Sequence, residues 1–188
     1  SLAIVGESGC GKSVFTKTFM GLLDANGWID GGQILYGGED LAQYKTEKQW
    51  LAIRGSQIAM VLQDPLTSLN PLKTVGSQIF EAIELHQKKT GAEARRLMLE
   101  LLDDVGIEGS ARRASQYPHE FSGGMRQRVV IAIAMACRPR ILICDEPTGD
   151  LDRQSAEEVL GLLFGRESKQ QPLVFVDVWH QAGRLNRP

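Results

Sequence analysis

The chain has no long apolar stretch, no concentrated basic region and no cysteine framework, and each absence removes a class of function. Its longest apolar run, Val129 to Cys137, falls well short of the ~20 residues that a helix needs to cross a bilayer. No signal-peptide pattern stands before it. The expectation is a soluble protein whose association with a membrane comes through partner subunits. Lysine and arginine number 21 against 23 acidic residues, a formal net charge of −2, and the arginines are scattered. That leaves no basic stripe to track a nucleic-acid backbone, so nucleic acid is not an expected partner. Three cysteines, an odd number at irregular spacing, point to a reducing cytosol. Neither internal repeats nor low-complexity linkers occur. At 188 residues and 43% hydrophobic content the chain has enough apolar material for one domain, or a core with a small subdomain.

What is present is concentrated in short motifs. Gly6-Glu7-Ser8-Gly9-Cys10-Gly11-Lys12-Ser13 fits G-x-x-x-x-G-K-[ST]. It follows an apolar, strand-like run, Leu2 to Val5, and opens an amphipathic, helix-like run, Val14 to Leu23. Strand, glycine loop and helix together make a phosphate site: the glycines let successive N–H groups turn toward one anion, and the new helix adds its positive end. Lys12 is expected to bridge β- and γ-phosphates, and Ser13 to place its hydroxyl on Mg²⁺. Cys10 sits at a helix N-terminus beside Lys12, a setting that lowers a thiol pKa, so it reads either as reactive or as a small loop residue without a role.

A second apolar run, Arg140 to Cys144, ends in Asp145-Glu146-Pro147. Alternation along a strand turns two adjacent acids to different sides, so they can hold different jobs. Asp145 is the expected Mg²⁺ residue, acting through the water shell that this ion retains. Glu146 is the expected general base for an attacking water. Between these motifs lies Tyr117-Pro118-His119-Glu120-Phe121-Ser122-Gly123-Gly124-Met125-Arg126-Gln127-Arg128. Ser122 is a good N-cap, and the paired glycines leave N–H groups uncovered at the start of an apolar helix continuing through Val129 to Cys137. An ordinary capped core helix accounts for Ser122 but not for the double glycine. Two anion sites in one chain suggest a head-to-tail dimer in which each subunit covers the other's nucleotide.

The phosphate loop, Gln63, Ser-Gly-Gly-Met-Arg-Gln-Arg and Asp-Glu-Pro-Thr occur in the order and approximate spacing of the ATP-binding subunits of ABC transporters, which the chain resembles from Leu2 to about Val176. Val61 to Pro71 and Tyr117 to Arg128 look like the oligopeptide, dipeptide and nickel importer branch, with Met125 where many ABC proteins have Gln.

The resemblance implies an α/β fold: a P-loop NTPase (RecA-like) core with a mainly parallel sheet, a small antiparallel β part and an inserted helical subdomain. It further implies Mg²⁺ with ATP as cofactor and substrate. The partners are a homologous ATPase subunit, identical or related, and transmembrane permease subunits. The expected location is the cytoplasmic face of the membrane. Residue by residue, Gly6 to Val14 match the nucleotide loop. Gln63 matches the residue that contacts Mg²⁺ and the attacking water. Ser122, Gly123 and Gly124 match the signature that closes on the partner's γ-phosphate. Asp152 matches the aspartate of the loop crossing the dimer interface, although Gly149 and Asp150 depart from the small residues usual there.

The ends depart further. The chain starts at Ser1, directly on the phosphate-loop strand, so no aromatic residue can be assigned to stack on adenine. Pro172 to Val176 reads as the strand before the switch histidine, yet gap-free alignment sets Asp177, Val178 and Trp179 there, and a shift of two residues brings His180 into the role.

The expected organisation is a partial nucleotide-binding domain over 1–188. In it 1–63 carries the phosphate loop, 64–121 the helical subdomain, and 122–188 the signature helix, the acidic strand, the aspartate loop and the tail. Gly31 to Gly38 suggests a short strand of a small antiparallel sheet. Val75 to about Ile107 reads as helical, with Leu97, Met98, Leu101, Leu102 and Val105 on one buried stripe. Ser155 to Phe164 reads as an amphipathic helix capped by Asp152 or Ser155. A permease would dock near Gln63 to Pro71. Two rival functions are a non-transport ABC ATPase, disfavoured because the interval from Gln63 to Ser122 has room for a transporter-type helical subdomain but no long coiled coil, and a nucleotide-binding remnant without catalysis.

Overall fold

The computed structural model describes residues 2–7, 9–62, 64–148, 151–164 and 174–180. Strand β1 (Leu2–Gly6) leads through the phosphate loop into α1 (Lys12–Thr18). A two-stranded hairpin, β2 (Leu35–Tyr36) and β3 (Glu39–Asp40), precedes α2 (Glu47–Ile53) and β4 (Ile58–Val61). Four helices follow: α3 (Pro65–Ser68), α4 (Val75–Gln87), α5 (Gly91–Asp104) and α6 (Ser110–Arg113). Helix α7 (Gly123–Ala136), strand β5 (Ile141–Asp145), helix α8 (Arg153–Phe164) and strand β6 (Val174–His180) complete the order.

The main sheet runs β1-β6-β5-β4 with every pair parallel. Parallel sheets are covered on both faces, and the strand sequences alternate between two cores accordingly. Ala59, Val61, Leu142 and Cys144 face a cluster built with α4, α5 and α7, including Ile79, Leu102, Val129 and Ile131. Ile58 and Ile143, joined by the partly buried Met60 and Ile141, face the opposite cluster with Met20, Leu41, Trp50 and Ile53. Each fully buried aliphatic side chain contributes roughly 1.5–3 kcal/mol. The fold is therefore α/β, with a parallel sheet and a small antiparallel hairpin.

Several elements differ from the sequence reading for local reasons. Helix α1 stops at Thr18 rather than reaching Leu23. Gly21 takes a left-handed φ of 58°, Leu22 N–H bonds Lys17 O at 3.0 Å and Gly21 N–H bonds Thr18 O at 3.2 Å, which together form a Schellman stop. Arg54 seals it by donating to the carbonyls of Met20 and Gly21. The helical stretch from Val75 is two helices, broken where Lys88 adopts φ 57°. Met98, Leu102 and Val105 of the expected stripe are buried, and Leu97 and Leu101 pack partly buried against them. The short strand expected within Gly31 to Gly38 is two residues long. Helix α8 begins at Arg153, two residues before Ser155. Strand β6 extends through Asp177 to His180 instead of ending at Val176. Its backbone continues the ladder between β1 and β5 there, with Asp177 in register with Ala3 and Cys144.

Candidate nucleotide site and signature helix

Because all four strands run the same way, their C-terminal ends share one edge of the sheet, where open α/β sheets bind ligands. Gly6, Val61, Asp145 and His180 end those strands. The phosphate loop, the segment entering residue 63, and the Asp145-Glu146 pair thus converge from distant parts of the chain.

In the loop, Cys10 N–H closes a turn on Glu7 O at 3.3 Å, and Gly11 forms the N-cap of α1 with φ 92° and no side-chain capping hydrogen bond among the described residues. A Cβ built at Gly9 or Gly11 meets nothing within 4 Å, so the loop backbone borders open space. Lys12 is 7% exposed and donates to Gly6 O at 2.9 Å, Glu7 O at 2.7 Å and Cys10 Sγ at 3.7 Å. Ser13 Oγ donates to Asp145 Oδ1 at 3.0 Å. Val14 is exposed, and Ser8 lies outside the described residues.

Asp145 and Glu146 are both buried. Strand β5 ends at Asp145, and Glu146 sits beyond it with a left-handed φ of 49°, so the two acids do not share the strand on which alternation was expected to separate them. A non-glycine residue in that region is uncommon and clusters at functional sites. The hydroxyl and carboxylate oxygens of Ser13 and Asp145 are hard donors of the kind Mg²⁺ accepts, few in number because the ion keeps waters and binds substrate phosphates. The residues present fit that ion, and Ser13 and Asp145 are the side chains that would hold it.

At the signature segment, Ser122 caps α7 by accepting from Met125 N–H at 3.3 Å. Arg126 Nε donates to Pro118 O at 2.8 Å, tying the preceding turn to the helix. The two glycines differ. A Cβ at Gly124 would lie 2.9 Å from Ser155 Oγ and 3.0 Å from Ser155 Cβ, whereas one at Gly123 would meet only Leu151 Cδ2 at 3.9 Å. Helix packing against α8 therefore accounts for Gly124, and Gly123 is the glycine that packing leaves unexplained. Helix α7 packs on α3, α4, α5, α8 and β4, while α1 packs on β1 and β5, so the two helix starts rest on different supports.

A family model described as "ABC transporter" matches residues 1–149. The chain belongs to the ABC transporter family. Among its relatives, the oligopeptide transport ATP-binding protein AmiE of Streptococcus pneumoniae is 55% identical over 162 residues, 86% of this chain and 46% of that protein. The dipeptide transport ATP-binding protein DppD of Bacillus subtilis is 45% identical over 184 residues, 97% of this chain and 54% of its own length. The chain thus spans about half the length of these relatives. Among solved structures, the ATP-binding cassette MJ0796, a dimer in a post-hydrolysis state bound to ADP and Pi, superposes with TM-score 0.80 at 28% identity, covering 96% of this chain and 74% of that one. Another, cbiO1 from Clostridium perfringens, gives TM-score 0.76 at 29% identity over 96% and 66%.

Within this ABC cassette, Asp152 caps α8: Ser155 N–H bonds Oδ1 at 3.0 Å and Ser155 Oγ bonds Oδ2 at 2.7 Å. Those bonds, the backbone one first, hold its carboxyl below the usual carboxylate range. His180 closes β6 in register with Gly6, the first residue of the phosphate loop. Gln63, Gly149 and Asp150 lie outside the described residues. Cys10 is exposed, Cys144 is buried in β5, and burial pushes the Cys137 thiol up to about 11. Sequence reasoning missed Ser155 as a packing partner of Gly124. The Asp-x-x-Ser spacing signalled the cap, but nothing in the sequence signals a contact between two helices about 30 residues apart in the chain.

Proposed function

We propose that this chain is the ATP-binding and ATP-hydrolysing part of an importer for peptides, working as one of two cassettes beneath a membrane permease. The observation that carries the reading is the Ser13–Asp145 hydrogen bond at 3.0 Å, which joins the phosphate loop to the acidic strand end where Glu146 stands next in sequence. Lys12 would exchange its loop carbonyls for β- and γ-phosphate oxygens. Ser13 and Asp145 would hold Mg²⁺, with Gln63 assigned by its motif alone; the ion would neutralise charge on the phosphates. Glu146 would accept the proton of the attacking water. From the partner subunit, identical or related, the N–H groups at Ser122, Gly123 and Gly124 and the Asp152 carboxylate would complete the site. His180, at the same sheet edge, is the candidate switch histidine.

Peptide is favoured over nickel as cargo because the relatives named above are oligopeptide and dipeptide transport proteins. Among the described residues no helix is long and apolar enough to cross a membrane, so a permease would supply the path and hold the cassette at the cytoplasmic face.

Steady-state Mg-ATP hydrolysis by this 188-residue chain, with Lys12→Ala as background, tests the reading. Lys12-dependent turnover is the expected result. Folded protein that binds ATP without turnover, alone and with permease subunits, would point to a nucleotide-binding remnant.

A further inference from the structure

The proposed reading assigns two elements of each subunit to its partner's nucleotide, the Ser122 to Gly124 segment and Asp152. This inference rests on that reading and concerns how the two are held together. We propose that Ser155 is a positioning residue that locks Asp152 to the signature helix, so that both meet the partner subunit as one rigid edge.

Ser155 touches both elements at once. Toward the aspartate, its N–H bonds Oδ1 at 3.0 Å and its hydroxyl bonds Oδ2 at 2.7 Å, so one residue fixes both carboxylate oxygens. Toward the signature, its Cβ and Oγ fill the place where any side chain at position 124 would begin, at 3.0 and 2.9 Å. Only glycine permits that approach. One turn along, Arg128 of α7 forms an ion pair with Glu158 of α8, and the same arginine donates to Gly106 O at 3.1 Å. Positions 124 and 128 share one helix face by four-residue spacing, and 155 and 158 share another by three-residue spacing. The helices are thus clamped side by side from their N-terminal turns, with the signature glycines above one and Asp152 above the other. A displacement of the signature helix transmits to Asp152 through a contact and a pair of hydrogen bonds, with no flexible segment between. Removing the Ser155 hydroxyl keeps the Cβ contact with Gly124 but frees one carboxylate oxygen.

The test uses the whole chain, with Ser155→Ala and, separately, Gly124→Ala. In the first arm, amide exchange across 152–156 is followed without nucleotide. Both variants should speed exchange there, Gly124→Ala by displacing Ser155 and Ser155→Ala by loosening the carboxylate. Unchanged exchange in Gly124→Ala would overturn the lock. In the second arm, affinity for a fluorescent ATP analogue and ATP-driven self-association are measured in Ser155→Ala. Affinity of the single subunit should stay within about twofold while association weakens about tenfold, the loss expected for one charge-assisted hydrogen bond. Equal association in variant and parent would overturn the positioning role. A parent chain that binds no ATP would refute the proposed function, and the first arm would still decide whether Ser155 couples the two elements.

Discussion

The Ser13 hydroxyl donates to the Asp145 carboxylate across 3.0 Å although 132 residues separate them. One belongs to the first turn of α1, the other to the last residue of β5, and α1 packs directly on that strand. Ser13 and Asp145 are the side chains that would hold Mg²⁺, which would supply charge neutralisation at the phosphates. Ser13→Ala and Asp145→Asn should each lower Mg-ATP turnover by roughly a hundredfold or more, since metal charge stabilisation supplies several kcal/mol. The double variant should be little worse than the poorer single one, because both changes remove the same ion. Additive losses in phosphate-release assays would argue against a shared metal.

Glu146→Gln should preserve ATP binding while nearly abolishing turnover. The amide keeps the shape and the left-handed backbone of a residue whose φ is 49° but cannot take a proton. Binding measured with a fluorescent nucleotide separates the two effects. Turnover unchanged in this variant would remove Glu146 from the role of base.

The signature glycines should respond differently to alanine. At Gly123 the added methyl has room, and a helix gains up to about 1 kcal/mol on exchanging Gly for Ala. At Gly124 the methyl overlaps Ser155, and overpacking costs typically about 1–3 kcal/mol. Chemical denaturation should therefore find Gly124→Ala less stable than Gly123→Ala by about 1–3 kcal/mol. Gly123→Ala should still lose turnover if its N–H faces a partner's phosphate.

Gly21 ends α1 against Trp50: a Cβ there would lie 2.2 Å from Trp50 Cε2. Gly21→Ala should cost about 2–5 kcal/mol, combining the left-handed penalty with overpacking. A fall in the thermal midpoint with the nucleotide affinity of the remaining folded protein unaltered is the expected pattern. No change in midpoint would contradict the packing.

His86, in the last turn of α4, packs its ring where a Cβ on Gly55 would come within 2.3 Å of Cε1, joining the helical part to the turn before β4. Burial, with a smaller contribution from Lys88, holds its pKa below the ordinary 6.5. The unfolded chain therefore takes up the proton first. Stability on this account is full above pH ~6.5 and declines as pH falls toward the folded-state pKa. Urea unfolding between pH 8 and 5 should show that decline, and His86→Gln should flatten it. A slope unaffected by the substitution would assign the effect elsewhere.

The sequence by itself determined the local chemistry: a glycine loop before Lys12-Ser13, an apolar run ending in Asp145-Glu146, and Ser122 as a cap. Each follows from spacing within a few residues, where backbone geometry leaves little choice. The tertiary structure decided what spacing does not encode. It set the strand order that inserts β6 between β1 and β5, bringing Asp145 to Ser13 and the end of β6 to Gly6. The stop of α1 at Gly21 depends on Trp50 and Arg54, and the need for glycine at position 124 depends on Ser155. These are contacts between elements distant in the chain. They arise from how covered faces pack against one another, and packing selects among many partners that one-dimensional periodicity treats alike.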